Sequence, residues 1–132
     1  MKPETQKYLA KARSDLADAK KIATIGLEKL AARSAYYAAF HAAEGLIFEN
    51  TGKVAKTHSG VRSEFARLTR DASEIDRAYS TFLSEGYKLK EISDYSVDPS
   101  EEITPEEANR AIAAAERFVA GIATLLDNKR PG

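Results

Sequence analysis

Two histidines are the residues of this 132-residue chain best suited to acid–base chemistry, and the chain contains no cysteine. An imidazole titrates near neutral pH and serves as general acid and as general base, so His41 and His58 are the candidate catalytic groups. The sequence has no Ser-His-Asp order, no Gly-rich phosphate loop and no helical pair of histidines with a glutamate between them. The lack of cysteine excludes disulfides, thiol nucleophiles and cysteine-ligated clusters, and we expect neither a metal nor a cofactor.

His41 belongs to a stripe of polar and apolar side chains on one helical face. Successive helix residues turn by about 100°, so a sector about 80° wide carries Leu30, Arg33, Tyr37, His41, Glu44 and Phe48. An unpaired charge is costly in such a stripe. One interpretation is structural: His41 donates to a carbonyl or to Glu44, while Arg33 pairs with another helix. The other is functional: Arg33, Tyr37, His41 and Glu44 bind a ligand in a groove or a dimer interface.

A second candidate site is the segment from Lys53 to Gly60, where two lysines and a histidine precede a short helix. The backbone N–H groups of a helix start, together with Lys53, Lys56 and His58, suit an anion such as phosphate. Five basic residues stand against one acidic residue between positions 53 and 70. A solvated helix face explains such a run equally well, so both interpretations stay open.

The stretch from Glu91 to Glu107 is opposite in sign, with seven acidic residues and no basic residue. Acids at the start of a helix interact favourably with its dipole, which accounts for the last two. Carboxylates also suit Mg²⁺, but the stretch has no regular ligand spacing. We therefore expect no metal site there.

Helices must position these candidates, because apolar residues recur at spacings of three and four along most of the chain. The pattern predicts an all-α, up-and-down bundle of four main helices plus one short helix. The predicted helices run over about Glu4–Ile25, about Leu27–Asn50, a short segment after Thr57, about Ser73–Ile92, and a last segment that Thr104 opens.

Local signals mark several ends of these helices. Thr57 and Thr104 are predicted N-caps, and Glu107 completes a capping box with Thr104. Gly52 is predicted to end the second helix. Asp94 and Tyr95 fall in a predicted loop, residues 93–103, because that segment is rich in turn formers. The predicted core includes Tyr36, Phe40, Ile47, Phe118 and Ile122, and the buried stripe of the first helix is predicted to be Tyr8, Leu9, Ala12, Leu16, Ala19, Ile22 and Ala23.

Composition limits the class of protein further. Twenty basic residues balance twenty acidic ones, which argues against a general binder of the phosphate backbone. The length fits a single domain, residues 1–132, with a core over about residues 4–127. We expect no membrane segment, no targeting signal and a cytoplasmic location.

Three segments together resemble the small stand-alone HEPN (higher eukaryotes and prokaryotes nucleotide-binding) proteins. The first, residues 32–46, contains Tyr36-Tyr37 and Phe40-His41. The second reads Lys-Thr-His-Ser-Gly-Val over residues 56–61, and the third reads Ser-Asp-Tyr over residues 93–95. The resemblance covers roughly Tyr8 to Ile122.

The resemblance implies a bundle of four or five helices that pairs into a homodimer. It also implies a nucleotide or RNA as ligand, and a minimal nucleotidyltransferase as the partner in a toxin–antitoxin-like pair. In this interpretation Lys53, Lys56 and His58 hold phosphate, while Tyr37, His41 and Tyr95 line the groove and Asp94 helps to close it.

Many HEPN proteins are metal-independent RNases that carry an Arg, four to six residues, and then a His. Seven residues separate Arg33 from His41, and the residue separated from His58 by four residues is a lysine, Lys53, not an arginine. Similar proteins carry an Arg four positions before Asp94, where this chain has Lys90. Two alternatives to the nucleotide-binding module therefore remain: a non-catalytic dimeric interaction module, and an RNase toxin, which the missing motif disfavours.

Overall fold

The computed structural model describes residues 1–72, 75 and 77–128, which form five α-helices and no strand. Their bounds are Pro3–Thr24 (α1), Glu28–Thr51 (α2), His58–Thr69 (α3), Arg77–Tyr95 (α4) and Pro105–Asn128 (α5). The long helices alternate in direction, since the start of α1 meets the end of α2 and the start of α2 meets the end of α4. The backbone N–H of Lys2 donates to Glu49, and Arg33 pairs with Asp94. The all-α bundle of four long helices and a short one is confirmed.

The predicted end signals are confirmed at three places. The Thr57 hydroxyl accepts from the backbone N–H of Gly60, at 2.9 Å. Thr104 and Glu107 form the reciprocal capping box, with both N–H···O distances at 3.1 Å. Gly52 ends α2 with φ at 69°, a conformation that side chains with a Cβ rarely adopt.

Helix α4 is longer at its carboxyl end than predicted. Asp94 and Tyr95 belong to its last turn, so their placement in a loop was wrong. Asp94 pairs with Lys90 one turn earlier and with Arg33 of α2, and these contacts stabilise a turn that local propensity did not favour. The predicted start at Ser73 lies outside the described residues.

The buried stripe of α1 is rotated from the predicted one. The buried residues are Thr5, Leu9, Ala12, Asp15 and Ala19, whereas Tyr8, Leu16, Ile22 and Ala23 are half-buried. The rotation places two polar residues inside. The Asp15 carboxylate is compensated there by Lys11, at 3.1 Å.

Helix α2 packs against all four other helices. Tyr36, Ile47, Phe118 and Ile122 are fully buried as predicted. Phe40 is only half-buried, because its ring lies at the edge of the bundle against the His58 ring. None of the described helices is long and apolar enough to cross a membrane.

Replacing Phe118 by Ala should lower the free energy of unfolding by about 3–5 kcal/mol. The Phe118 ring is fully buried and stacks on Phe65 at 5.1 Å, so its removal leaves a cavity. Phe40→Ala is the comparison, and should cost roughly half as much because the ring is partly solvated already. Urea denaturation of both variants measures the difference, and an equal cost would mean that the two rings are buried alike.

Candidate functional site

His58, the first residue of α3, stands inside a ring of aromatic side chains. Its imidazole lies 4.6 Å from Phe40, 5.1 Å from Tyr87 and 5.7 Å from Tyr36, measured between ring centroids. A hydrogen bond of 2.7 Å joins Nδ1 of His58 to the Tyr36 hydroxyl. Helices α2, α3 and α4 thus each contribute a side chain to the surroundings of one imidazole.

The surroundings of His58 favour its neutral form. Burial lowers the pKa of the imidazole, and the positive charges of Lys90 and Arg62 lower it further. Burial also raises the pKa of Tyr36 far above its usual value, so this phenol stays protonated. His58 is therefore a neutral, oriented imidazole at neutral pH, and its Nε2 has no hydrogen-bond partner among the described residues.

Arg62 is the cation that the sequence did not single out. It lies one turn after His58 on α3, with its guanidinium carbon 4.8 Å from the centroid of the Tyr87 ring. Its Nη1 is buried without a hydrogen-bond partner, and no carboxylate of the described residues lies within 4.0 Å of it. In the sequence Arg62 is one member of a basic run that is typical of a solvated helix face. The neighbouring aromatic residue that sets it apart comes from another helix.

Arg33 and Asp94 meet at a buried lysine. The Asp94 carboxylate lies 2.7 Å from Nε of Arg33 and 3.1 Å from Nζ of Lys90, which is only 7% exposed. Burial acts to raise the pKa of Asp94, but hydrogen bonds from Lys90 and Arg33 outweigh it and hold that pKa below its usual value. Burial acts to lower the pKa of Lys90, but the hydrogen bond to Asp94, together with the charges of Asp94 and Glu91 and the nearby Tyr37, raises that pKa above its usual value. Glu91, 3.9 Å from Nζ of Lys90, is the second carboxylate of this group, so two carboxylates balance the two cations.

His41 lies between two carboxylates. Its Nδ1 is 2.8 Å from Glu44 and its Nε2 is 3.5 Å from Asp15 of α1. The imidazole lines an open depression of about 330 Å³ with Glu4, Lys7, Tyr8 and Lys11. The pairing with Glu44 is the contact that the structural interpretation of this stripe expected.

Tyr37 and Phe40 connect the two histidines. The Tyr37 ring lies 5.9 Å from His41 and 6.0 Å from His58, and the Phe40 ring also contacts both. Arg33 stacks over Tyr37 at 4.9 Å. The structure therefore brings most of the predicted α2 face together with His58.

The loop lysines lie elsewhere. Lys53 lines a separate depression with Thr51, Val54 and Arg67, and Lys56 is exposed. The cations that act on His58 are Lys90 and Arg62. Tyr95 is 70% exposed at the end of α4, with Nζ of Lys90 5.2 Å from its ring centroid.

Acidic and histidine side chains of the described residues form no group of three that could hold a metal ion. The carboxylates between Glu91 and Glu107 are used in other ways. Glu107 caps α5, Glu101 accepts from Ser96, and Glu102 pairs with Lys29.

Nearly the whole chain is similar to known proteins. The HEPN domain family matches residues 5–124. A UPF0332 protein of Archaeoglobus fulgidus is 32% identical over 123 residues, which cover 88% of this chain and 90% of that protein. A Methanocaldococcus jannaschii protein named "Putative toxin" is 31% identical over 119 residues, covering 90% of this chain and 86% of that protein. A crystal structure from Thermus thermophilus shares the fold, with a TM-score of 0.77 at 23% identity, and covers 93% of this chain and 98% of that one.

Asp94→Asn should destabilise the protein by about 2 kcal/mol, because it leaves the buried Lys90 charge without its closest carboxylate. Folding lowers the pKa of Asp94, so its stabilisation is present at neutral pH and is lost as the pH falls below the unfolded value of 3.8. Thermal unfolding at neutral pH measures the loss. The double variant Lys90→Met/Asp94→Asn should regain most of it, and a double variant as unstable as Asp94→Asn would show that Lys90 is not the cause.

Proposed function

The chain belongs to the HEPN domain family, and on that premise we propose that it is a single-domain module that binds the phosphate of a nucleotide or RNA. We further propose that it is the helical partner of a minimal nucleotidyltransferase in a toxin–antitoxin-like pair. A relative that is 31% identical is named "Putative toxin", which supports the toxin–antitoxin part of the proposal. RNA cleavage is not part of the proposal, since the chain has no Arg at the required spacing before His41 or His58.

The observation that carries the proposal is the Arg62 guanidinium, which lies beside a neutral imidazole and has no carboxylate of the described residues within 4.0 Å. Buried donors are normally paired, and an unpaired one costs free energy unless a ligand or water satisfies it. A phosphate oxygen fits the fork of an arginine. Arg33 and Lys90, by contrast, already have Asp94.

The start of α3 and the surrounding aromatic rings also support the binding of a nucleotide or RNA. Thr57 satisfies the N–H groups of Gly60 and Val61, which leaves those of His58 and Ser59 at the positive end of the helix dipole. The half-buried Tyr37, Phe40 and Tyr87 offer faces on which a nucleobase can stack. A phosphate at Arg62 and a base on these rings would use the site together.

Arg62→Ala should weaken binding of a nucleoside triphosphate or a single-stranded RNA oligonucleotide by about tenfold or more, because a charge-assisted hydrogen bond contributes roughly 1.5–3 kcal/mol. Isothermal titration measures the affinity. The matched control is Arg67→Ala, on the same helix, whose guanidinium is exposed and paired with Glu64. Lys56→Ala tests the loop lysines in the same way.

The pH dependence of this binding has a definite sign. A bound anion favours protonated His58, whose pKa lies below 6.5 in the free protein. Affinity should therefore increase as the pH falls from about 7.5 to about 5.5, and His58→Ala should remove that increase. Equal affinities of the wild type, Arg62→Ala and Arg67→Ala, or no binding by any of them, would contradict the proposal.

The second candidate function is a dimeric interaction module, and a groove between α4 and α5 favours it. The groove has a volume of about 660 Å³ and an apolar floor that includes Phe82, Leu89 and Ile92. Its rim carries both signs of charge, from Glu85, Lys88, Glu107, Arg110 and Arg117. Two copies that meet about a two-fold axis can place opposite charges of such a rim against each other. We propose a homodimer through this face.

Leu89→Asp should then convert the dimer into a 14.4 kDa monomer, since it places a charge on the floor of the groove. Val54→Asp is the control, because Val54 is exposed and lies outside the groove. Light scattering gives the masses. A wild-type mass of 14.4 kDa at all micromolar concentrations would reject the dimer.

A further inference from the structure

The large exposed apolar side chains of the described residues are concentrated at one end of the bundle. This end is formed by the turn between α1 and α2, the last turn of α4 and the loop before α5. Five of the six such side chains lie there, namely Ile25, Leu27, Leu30, Tyr95 and Val97, whereas Val54 is elsewhere. Ile25 is 70% exposed and Val97 is 97% exposed. A cluster of this kind is unusual for a surface with no partner.

A cavity lies within this end patch. It has a volume of about 330 Å³, and its walls include Leu27, Leu30, Ser93 and Ile103. Ile103 is buried, so the cavity leads from exposed leucines down to the edge of the core. Aliphatic side chains of a partner would find apolar walls there.

The rim of the end patch is acidic. Asp98, Glu101 and Glu102 are exposed beside it, and a hydrogen bond from the backbone N–H of Ser100 lowers the pKa of Asp98 and keeps it ionised. Among the described residues, Lys29 is the one cation within 4.0 Å of a carboxylate in segment 98–107. Two copies that met at this end would bring like charges together, and an anionic lipid surface or RNA would be repelled in the same way.

We propose that the end patch docks a segment of another protein that is apolar on one side and rich in Lys or Arg beside it, such as a basic amphipathic helix. The leucines and the cavity take the apolar side chains, and the carboxylates of the rim attract the basic ones. This surface is separate from the α4–α5 groove and from His58 and Arg62.

The test uses a synthetic amphipathic peptide with Leu on one face, Lys on the other, and no aromatic residue. In two-dimensional ¹H–¹⁵N spectra of the full chain, this peptide should shift the amide signals of residues 25–30 and 93–103 and leave those of α3 unchanged. Rising salt should weaken the binding because the rim attracts by charge. A peptide with Glu in place of every Lys is the control and should not bind.

Two matched variants locate the contacts. Leu27→Gln/Leu30→Gln should weaken peptide binding by about tenfold or more, whereas Val54→Gln should not. Arg62→Ala should bind the peptide normally, which separates this proposal from the phosphate site. The proposal is overturned by no binding at millimolar peptide, by equal binding of the Glu peptide, or by equal binding of the Leu27→Gln/Leu30→Gln variant. It is also overturned if the signals of residues 25–30, which do not line the α4–α5 groove, shift with protein concentration alone, or if they respond only to phosphatidylserine vesicles.

Discussion

The close approach of the other helices to α2 depends on a side of α2 that carries almost only alanine. Seven alanines of α2 are completely buried, at positions 31, 32, 35, 38, 39, 42 and 43. Such small side chains let neighbouring backbones come near, and larger ones would force them apart. Because this side is used for packing, the remaining face of α2, with Arg33, Tyr37 and His41, is left half-exposed at the edge of the bundle. The exposure of this candidate functional face is thus a consequence of how the opposite side of α2 packs.

The short helix α3 completes that edge. Its first residue is held by the Tyr36 hydroxyl, which is itself buried and needs a polar partner. Tyr36 fits because α4 carries Gly86 opposite it, where an added Cβ would lie 3.0 Å from the Tyr36 ring. Packing of the core and orientation of His58 therefore depend on the same tyrosine. A larger residue at position 86 would displace Tyr36 and so change the orientation of His58.

The sequence was sufficient to predict the features that depend on interactions between residues close together in the chain. The helical period predicted the bundle, and side-chain caps such as Thr57 and Thr104 predicted the helix starts. It was insufficient where a contact with a residue far away in the sequence determines the position or burial of a side chain. Asp94 looked like a loop residue because its partner Arg33 is 61 positions away, and Arg62 looked solvated because Tyr87 comes from another helix. Asp15 was not among the residues predicted to be buried in α1, yet it is buried beside Lys11 and His41.

The two histidines share the rings of Tyr37 and Phe40 but occupy opposite electrostatic environments. His41 has a carboxylate near each ring nitrogen, from Glu44 and Asp15, so both nitrogens already face an acceptor. His58 has Lys90 and Arg62 as the charges that act on it most strongly, together with the positive end of α3. The carboxylates hold His41 in place, and the phosphate of the proposed function is assigned to His58. The sequence named both imidazoles as candidates for acid–base chemistry, and the structure adds that Lys90 and Arg62 act on His58 whereas Glu44 and Asp15 flank His41.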